Sequence, residues 1–171
     1  MILGRGTIAS IIPDREDFIF FACGESNRFE LTSYRKSVER ERILSHIDTN
    51  KMFVYISGLH IYYPDGGRSD YNTHKLCMEE TVKNNFRNYC IFRLGSVTWG
   101  DNPNTIVNFM KQQIAINPEF KGREVFRYLH SKEELQHWFS MIPSQGKHEM
   151  NVTGKMAWVP DLVEQIKRGE L

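Results

Sequence analysis

Asp17-Phe18-Ile19-Phe20-Phe21-Ala22-Cys23-Gly24 is a continuous apolar run that ends in a loop of small residues. A run without polar alternation reads as a strand covered on both faces, as in a parallel sheet. The pattern returns at Lys51-Met52-Phe53-Val54-Tyr55-Ile56-Ser57-Gly58 and at Tyr89-Cys90-Ile91-Phe92-Arg93-Leu94, which leads into Gly95-Ser96. Between these runs the spacing predicts a helix over 33–47, with Val38, Leu44 and Ile47 facing inward. A second helix is predicted over 69–86, capped by Ser69 or Asp70 after the turn Pro64-Asp65-Gly66-Gly67. Strands alternating with helices imply an α/β sandwich around a mostly parallel sheet. The loops at Gly24, Gly58 and Gly95 would open on one sheet edge, where ligands bind in such folds.

The rest of the chain extends this plan. Met1-Ile2-Leu3 reads as a short strand ending at Gly4, followed by a brief helix within 6–12, before Pro13. Further helices are predicted over 104–116, over 132–142 with Ser131 as cap, and over 160–168, with a strand over 122–129. At 171 residues and 40% hydrophobic composition, one compact domain with a real core is expected. Net charge is +1, and Arg35-Lys36-Ser37-Val38-Glu39-Arg40-Glu41-Arg42 interleaves both signs as a solvated helix face does. That balance argues against a nucleic-acid partner. The six histidines show no metal-ligand spacing, so no metal is expected. Cys23, Cys77 and Cys90 read as buried free thiols in a reducing compartment. No apolar run approaches the roughly 20 residues of a membrane span, and no secretory leader pattern opens the chain. A cytoplasmic protein is expected, with Asn151-Val152-Thr153 a chance glycosylation match.

Two motifs carry chemistry. Tyr71 and Lys75 stand four residues apart on a predicted helix and so share a face. A nearby ammonium favours the phenolate and would lower the tyrosine pKa toward general acid/base work. Gly4-Arg5-Gly6-Thr7-Ile8-Ala9 fits Gly-x-Gly-x-x-Ala between a strand and a helix, a turn that lets backbone approach a pyrophosphate.

With these residues in order, the chain resembles the extended branch of the short-chain dehydrogenase/reductase superfamily, the NAD-dependent nucleotide-sugar epimerases, dehydratases and reductases. Residues 2–10 resemble that family's first strand and glycine turn, and 17–26 its strand ending in a loop along the cofactor. Residues 53–62 resemble its strand ending in a Ser-Ser or Ser-Thr pair, and 71–80 its Tyr-x-x-x-Lys helix. Residues 93–104 are similar to its Arg-Leu-x-Asn-x-x-Gly stretch, and Met150-Asn151-Val152-Thr153-Gly154 to its C-terminal Tyr-Asn-Val-x-x-Gly segment. The resemblance implies a shortened Rossmann-like three-layer sandwich, with 100–171 supplying a small substrate-side portion of a single domain 1–171. It implies NAD or NADP as cofactor, a nucleotide sugar as substrate, Tyr71 as proton donor and acceptor, and Lys75 on the nicotinamide ribose. Ser57 falls on a serine of the serine pair. Gly4, Gly6, Thr7, Ile8 and Ala9 would form the pyrophosphate turn, and Ala22, Cys23 and Gly24 would lie along the cofactor. Ser96 and Trp99 would face the substrate. Helices 33–47 and 71–86 would form a homodimer interface.

Three departures cut against this. The interval between Ala9 and Asp17 is too short for the strands and acidic residue that hold the adenosine ribose, which leaves the first strand at a sheet edge. The position of the family's catalytic hydroxyl is Gly58, and the family's Asn is Ser96. Two functions therefore stand side by side. One is an NAD(P)-dependent nucleotide-sugar epimerase, dehydratase or reductase. The other is an inactive relative that binds a nucleotide or sugar nucleotide, or assembles with a full-length enzyme.

Overall fold

A computed structural model describes residues 1–25, 31–64 and 69–171. Asp65, Gly66 and Gly67 of the expected turn lie outside these residues, as does Ser26 at the end of one resemblance segment. The three apolar runs form β2 (Phe18–Phe21), β3 (Met52–Gly58) and β4 (Tyr89–Leu94). With β1 (Ile2–Leu3) and β7 (Lys147–Val152) they make a five-stranded parallel sheet in the order β1-β2-β3-β4-β7. Register runs straight across it: Ile2 pairs with Phe20, Phe20 with Val54, Val54 with Cys90, and Cys90 with His148.

Side chains alternate between two buried faces, which is why the runs lack polar positions. Phe18, Phe20, Met52, Val54, Cys90 and Phe92 face one cluster, closed by Leu135 and Phe139 of α4 (Lys132–Ser140). Ile19, Phe21, Phe53, Tyr55 and Ile91 face the other. That side is covered by Ile43 of α1 (Ser33–Leu44) and by Met78 and Val82 of α2 (Asp70–Asn85). Each fully buried side chain of this size contributes about 1.5–3 kcal/mol relative to exposure. The result is a shortened Rossmann-like α/β sandwich.

The inward face of α1 differs from the expected one. Ile43 is fully buried and Glu39 nearly so, whereas Val38 and Leu44 are half-buried and Ile47 is exposed. Glu39 takes the core position because its carboxylate finds partners there, and burial of a paired charge is tolerated. The brief helix after the glycine turn is a single 3-10 turn, Ala9–Ile11. β1 lies at the end of the sheet order, paired with β2 only.

A second sheet of three strands has the order β5-β6-β8, from β5 (Ser96–Val97), β6 (Phe126–His130) and β8 (Lys155–Trp158). β6 runs parallel to β5 and antiparallel to β8. α3 (Ile106–Ile116) and α5 (Val159–Lys167) pack on it through Met110, Leu162 and Val163. β5 follows directly on the carboxyl end of β4, so this unit, built from segments on both sides of β7, begins at that end of the sheet.

Candidate functional site

α2 begins cleanly because the Ser69 hydroxyl accepts a hydrogen bond from the Asn72 N–H at 3.1 Å. That start sets both motif residues. Lys75 points inward, and its ammonium donates to Glu39 Oε1 at 3.3 Å and to the Tyr55 hydroxyl at 3.2 Å. Glu39 is saturated: Tyr55 donates to Oε1 at 2.7 Å, and Oε2 receives the Glu25 N–H and meets His74 Nε2, each at 2.8 Å. Burial pushes the Glu39 carboxyl pKa up, but the His74 contact, the Lys75 charge and the other two donors override it and hold it at about 2. Gly24 lies directly on this ion pair, since a β-carbon there would come 2.6 Å from Glu39 Oε1 and 2.9 Å from Lys75 Nζ.

Tyr71 stays beside Lys75, whose ammonium stands 5.8 Å from the phenol ring centroid, but its hydroxyl is bonded elsewhere. Its hydroxyl donates to the Glu25 carbonyl at 3.0 Å, and its ring stacks on His60 with centroids 5.0 Å apart. Burial, then the charges of Glu39 and Glu25, push the phenol pKa well above the ordinary range. The expected lowering by Lys75 is therefore reversed here. The Lys75 charge is committed to Glu39, and the surrounding carboxylates penalise a phenolate.

Ser57 is 5% exposed and donates to Glu79 Oε1 at 2.6 Å. Glu79 also receives Arg93 Nε at 2.9 Å, and Arg93 reaches on to Glu149 at 2.6 Å. Ser57 thus belongs to a buried network tying β3, α2, β4 and β7. At Gly58 the His60 ring fills the space a β-carbon would need. A hydroxyl-bearing side chain at 58 and the present His60 are mutually exclusive.

In the glycine turn, Gly4 has a φ of +136°, and a β-carbon there would come 2.5 Å from the Ala22 carbonyl oxygen. Only glycine fits that approach of β1 to the loop after β2. A side chain at Gly6 would meet nothing. Thr7 packs on Gly100, Ala9 is buried, and Ile8, Ala22 and Trp99 pack against one core cluster while Cys23 packs on the other. Burial pushes the Cys23 thiol pKa up. Cys77, expected to be buried, is exposed.

Tyr71 and Ser96 both line a cavity of about 340 Å³ between α2 with the turn at His60 on one side and the three-stranded sheet with α3 on the other. His60, Asn104, Phe109 and Arg127 line it with them, and Arg123 stands at its wall. Arg127, Phe109 and the buried Glu39 cluster are not legible as site residues in the sequence. The partners of Glu39 lie far away in sequence, whereas His60, two residues after Gly58, is legible as a stand-in for the missing hydroxyl. Among the described residues there is no cluster of three or more His, Cys, Asp or Glu able to hold a metal. No helix among them is long and apolar enough to cross a membrane.

The architecture matches solved proteins. The Bordetella bronchiseptica enzyme WbmH in complex with NAD⁺ superposes with a TM-score of 0.70 at 12% identity, over 90% of this chain and 58% of that one. WbmG of the same organism, in complex with NAD and UDP, gives 0.68 at 7% identity, over 90% and 56%. The Thermus thermophilus UDP-glucose 4-epimerase complex with NAD gives 0.62 at 12%, over 89% and 61%. This chain has their fold. It spans less than two thirds of the length of each, and at such identity the likeness is one of fold. No family model and no curated protein sequence matches the chain.

The Rossmann-like chain meets the cofactor of these relatives only in part. The Gly4–Ala22 approach suits a pyrophosphate turn. The three-residue turn that follows is too short to present a helix N-terminus, β1 has no strand beyond it among the described residues, and Lys75 is spent on Glu39. These residues do not fit a whole dinucleotide.

Proposed function

We propose that this chain binds a nucleotide sugar in the cavity between α2 and the three-stranded sheet, without performing hydride transfer of its own. The observation that carries the proposal is the lining of that cavity. Arg123 and Arg127 suit a diphosphate, which guanidinium groups recognise through charge-assisted pairs. Phe109 and Phe120 offer apolar surface for a base, and Asn104, Ser96 and Tyr71 offer hydrogen bonds to sugar hydroxyls. Against catalysis stand the acid/base groups themselves. Lys75 is ion-paired, Ser57 is bonded to Glu79, Gly58 lacks a hydroxyl, and Tyr71 holds its proton tightly.

UDP in the WbmG complex and the UDP-sugar epimerase relatives make a UDP-hexose the natural probe. Calorimetric titration should give micromolar binding that weakens about tenfold in Phe109→Ala, the loss of one aromatic contact with its buried area. Absence of binding at millimolar UDP-hexose would overturn the proposal.

A second reading, an NAD(P)-dependent epimerase, dehydratase or reductase, draws support from the Gly4–Ala22 approach and from Tyr71 and Lys75 standing on one helix. It would need Lys75 to leave Glu39 and another polypeptide to complete the adenosine side. We also propose a homodimer through the outer faces of α1 and α2. There Leu76 and Cys77 are exposed beside Arg40 and Glu80, around a surface hollow of about 560 Å³. A cytoplasmic location is part of the same reading.

A further inference from the structure

A second cavity, of about 590 Å³, lies beside the first, across Val125 and Arg127, and of its lining the proposed function uses only Arg127. We propose that it is a saccharide-binding cleft, taking a short neutral oligosaccharide. Its aromatic lining is separate from the nucleotide-sugar cavity next door, with Arg127 standing at the shared wall.

Aromatic side chains are concentrated here and left uncovered. Tyr62 is 56% exposed and Phe126 53%, with Met156 at 57% beside them. Isolated exposed apolar residues need no explanation, but several around one hollow mark a binding surface. The rings are also held in place. Phe126 packs on Trp158 with centroids 4.7 Å apart, and the Tyr63 hydroxyl accepts the Tyr128 N–H at 3.2 Å. Tyr62 carries the Arg93 guanidinium 5.4 Å from its centroid, and Arg93 is itself fixed by Glu79 and Glu149. Fixed rings lose little entropy when a ligand settles on them.

The polar lining decides the class of ligand. Asn151, Thr153, Glu124 and Arg127 border the same hollow, one acid balanced by one base. Asn151 Oδ1 accepts Arg93 Nη1 at 3.2 Å, which leaves the amide hydrogens as the donors. A pyranose has an apolar C–H face that packs on an electron-rich ring and a rim of hydroxyls that each need a donor and an acceptor. Ring faces bordered by amide, hydroxyl, carboxylate and guanidinium groups, with no net charge, match both halves of that ligand. The volume lies within the roughly 300–1,000 Å³ of small-molecule sites and leaves room for more than one sugar ring.

The test is saturation-transfer NMR on the full chain with maltotriose, cellotriose and chitotriose, and with a proline-rich peptide as the competing aromatic ligand. The expected result is transfer to ring C–H protons of at least one trisaccharide, with affinity about tenfold weaker in Tyr62→Ala/Phe126→Ala. Both side chains are exposed, and an unchanged circular dichroism spectrum would show that the variant folds. Phe109→Ala should keep trisaccharide binding while weakening UDP-hexose, which separates failure of this cleft from failure of its neighbour. No transfer to any trisaccharide, transfer unchanged in the double variant, loss in Phe109→Ala, or binding of the peptide alone would each overturn the proposal.

Discussion

The His60 ring occupies the space that a β-carbon on Gly58 would need, and the same ring stacks on Tyr71. The missing side chain at 58 and the histidine two residues later are one feature, because each excludes the alternative to the other. Gly58→Ser should therefore cost about 1–3 kcal/mol through overpacking, and most of that cost should vanish when His60→Ala is added. Denaturant unfolding of the two single variants and the double variant measures the coupling. Additive effects would contradict the interlock.

Glu39 makes stability depend on acid. Its folded-state pKa of about 2 lies below the ordinary 4.5, so its contribution is complete above about pH 4.5 and is lost as pH falls toward 2. The shift corresponds to roughly 3 kcal/mol. Unfolding curves between these limits should show that loss, and Glu39→Gln should flatten it. Removing the acid also leaves Lys75 charged and buried, which should destabilise the chain at neutral pH by about 3–5 kcal/mol. An unchanged acid profile in Glu39→Gln would mean that another group carries the dependence.

That cluster marks the boundary of what sequence reading reaches. β2, β3 and β4 are legible because strands buried on both faces leave long apolar runs. β7 carries Lys147, His148 and Glu149 and alternates between exposed and half-buried positions, so it reads as a polar segment. Glu39 reads as one more charge on a solvated helix, since its partners Tyr55, His74 and Lys75 stand 16, 35 and 36 residues away. Tyr71 and Lys75 are legible as a pair on one helix. The direction of the tyrosine pKa is not, because it depends on where the lysine charge is spent.

Tyr71 should remain a phenol where ordinary tyrosines ionise. At pH 10 the ultraviolet difference spectrum of the parent chain minus Tyr71→Phe should contain no phenolate band. A phenolate contribution from Tyr71 at or below that pH would show that the Lys75 charge reaches it after all.

The outer faces of α1 and α2 should hold two copies together. Sedimentation at micromolar concentration should give twice the 20.1 kDa chain mass, and Leu76→Glu should return it to the monomer. A 20.1 kDa species alone in the parent chain would remove the dimer from the account.

The most direct test sets the two ligands against each other. Calorimetric titration of the full chain with a UDP-hexose and, separately, with NAD⁺ should give micromolar binding of the sugar nucleotide whether or not NAD⁺ is present. NAD⁺ alone should give no heat of binding up to millimolar, because its adenosine side is unsupported and Lys75 is held by Glu39. Tight NAD⁺ binding, with a UDP-hexose bound only in its presence, would contradict the account and favour the NAD(P)-dependent reading.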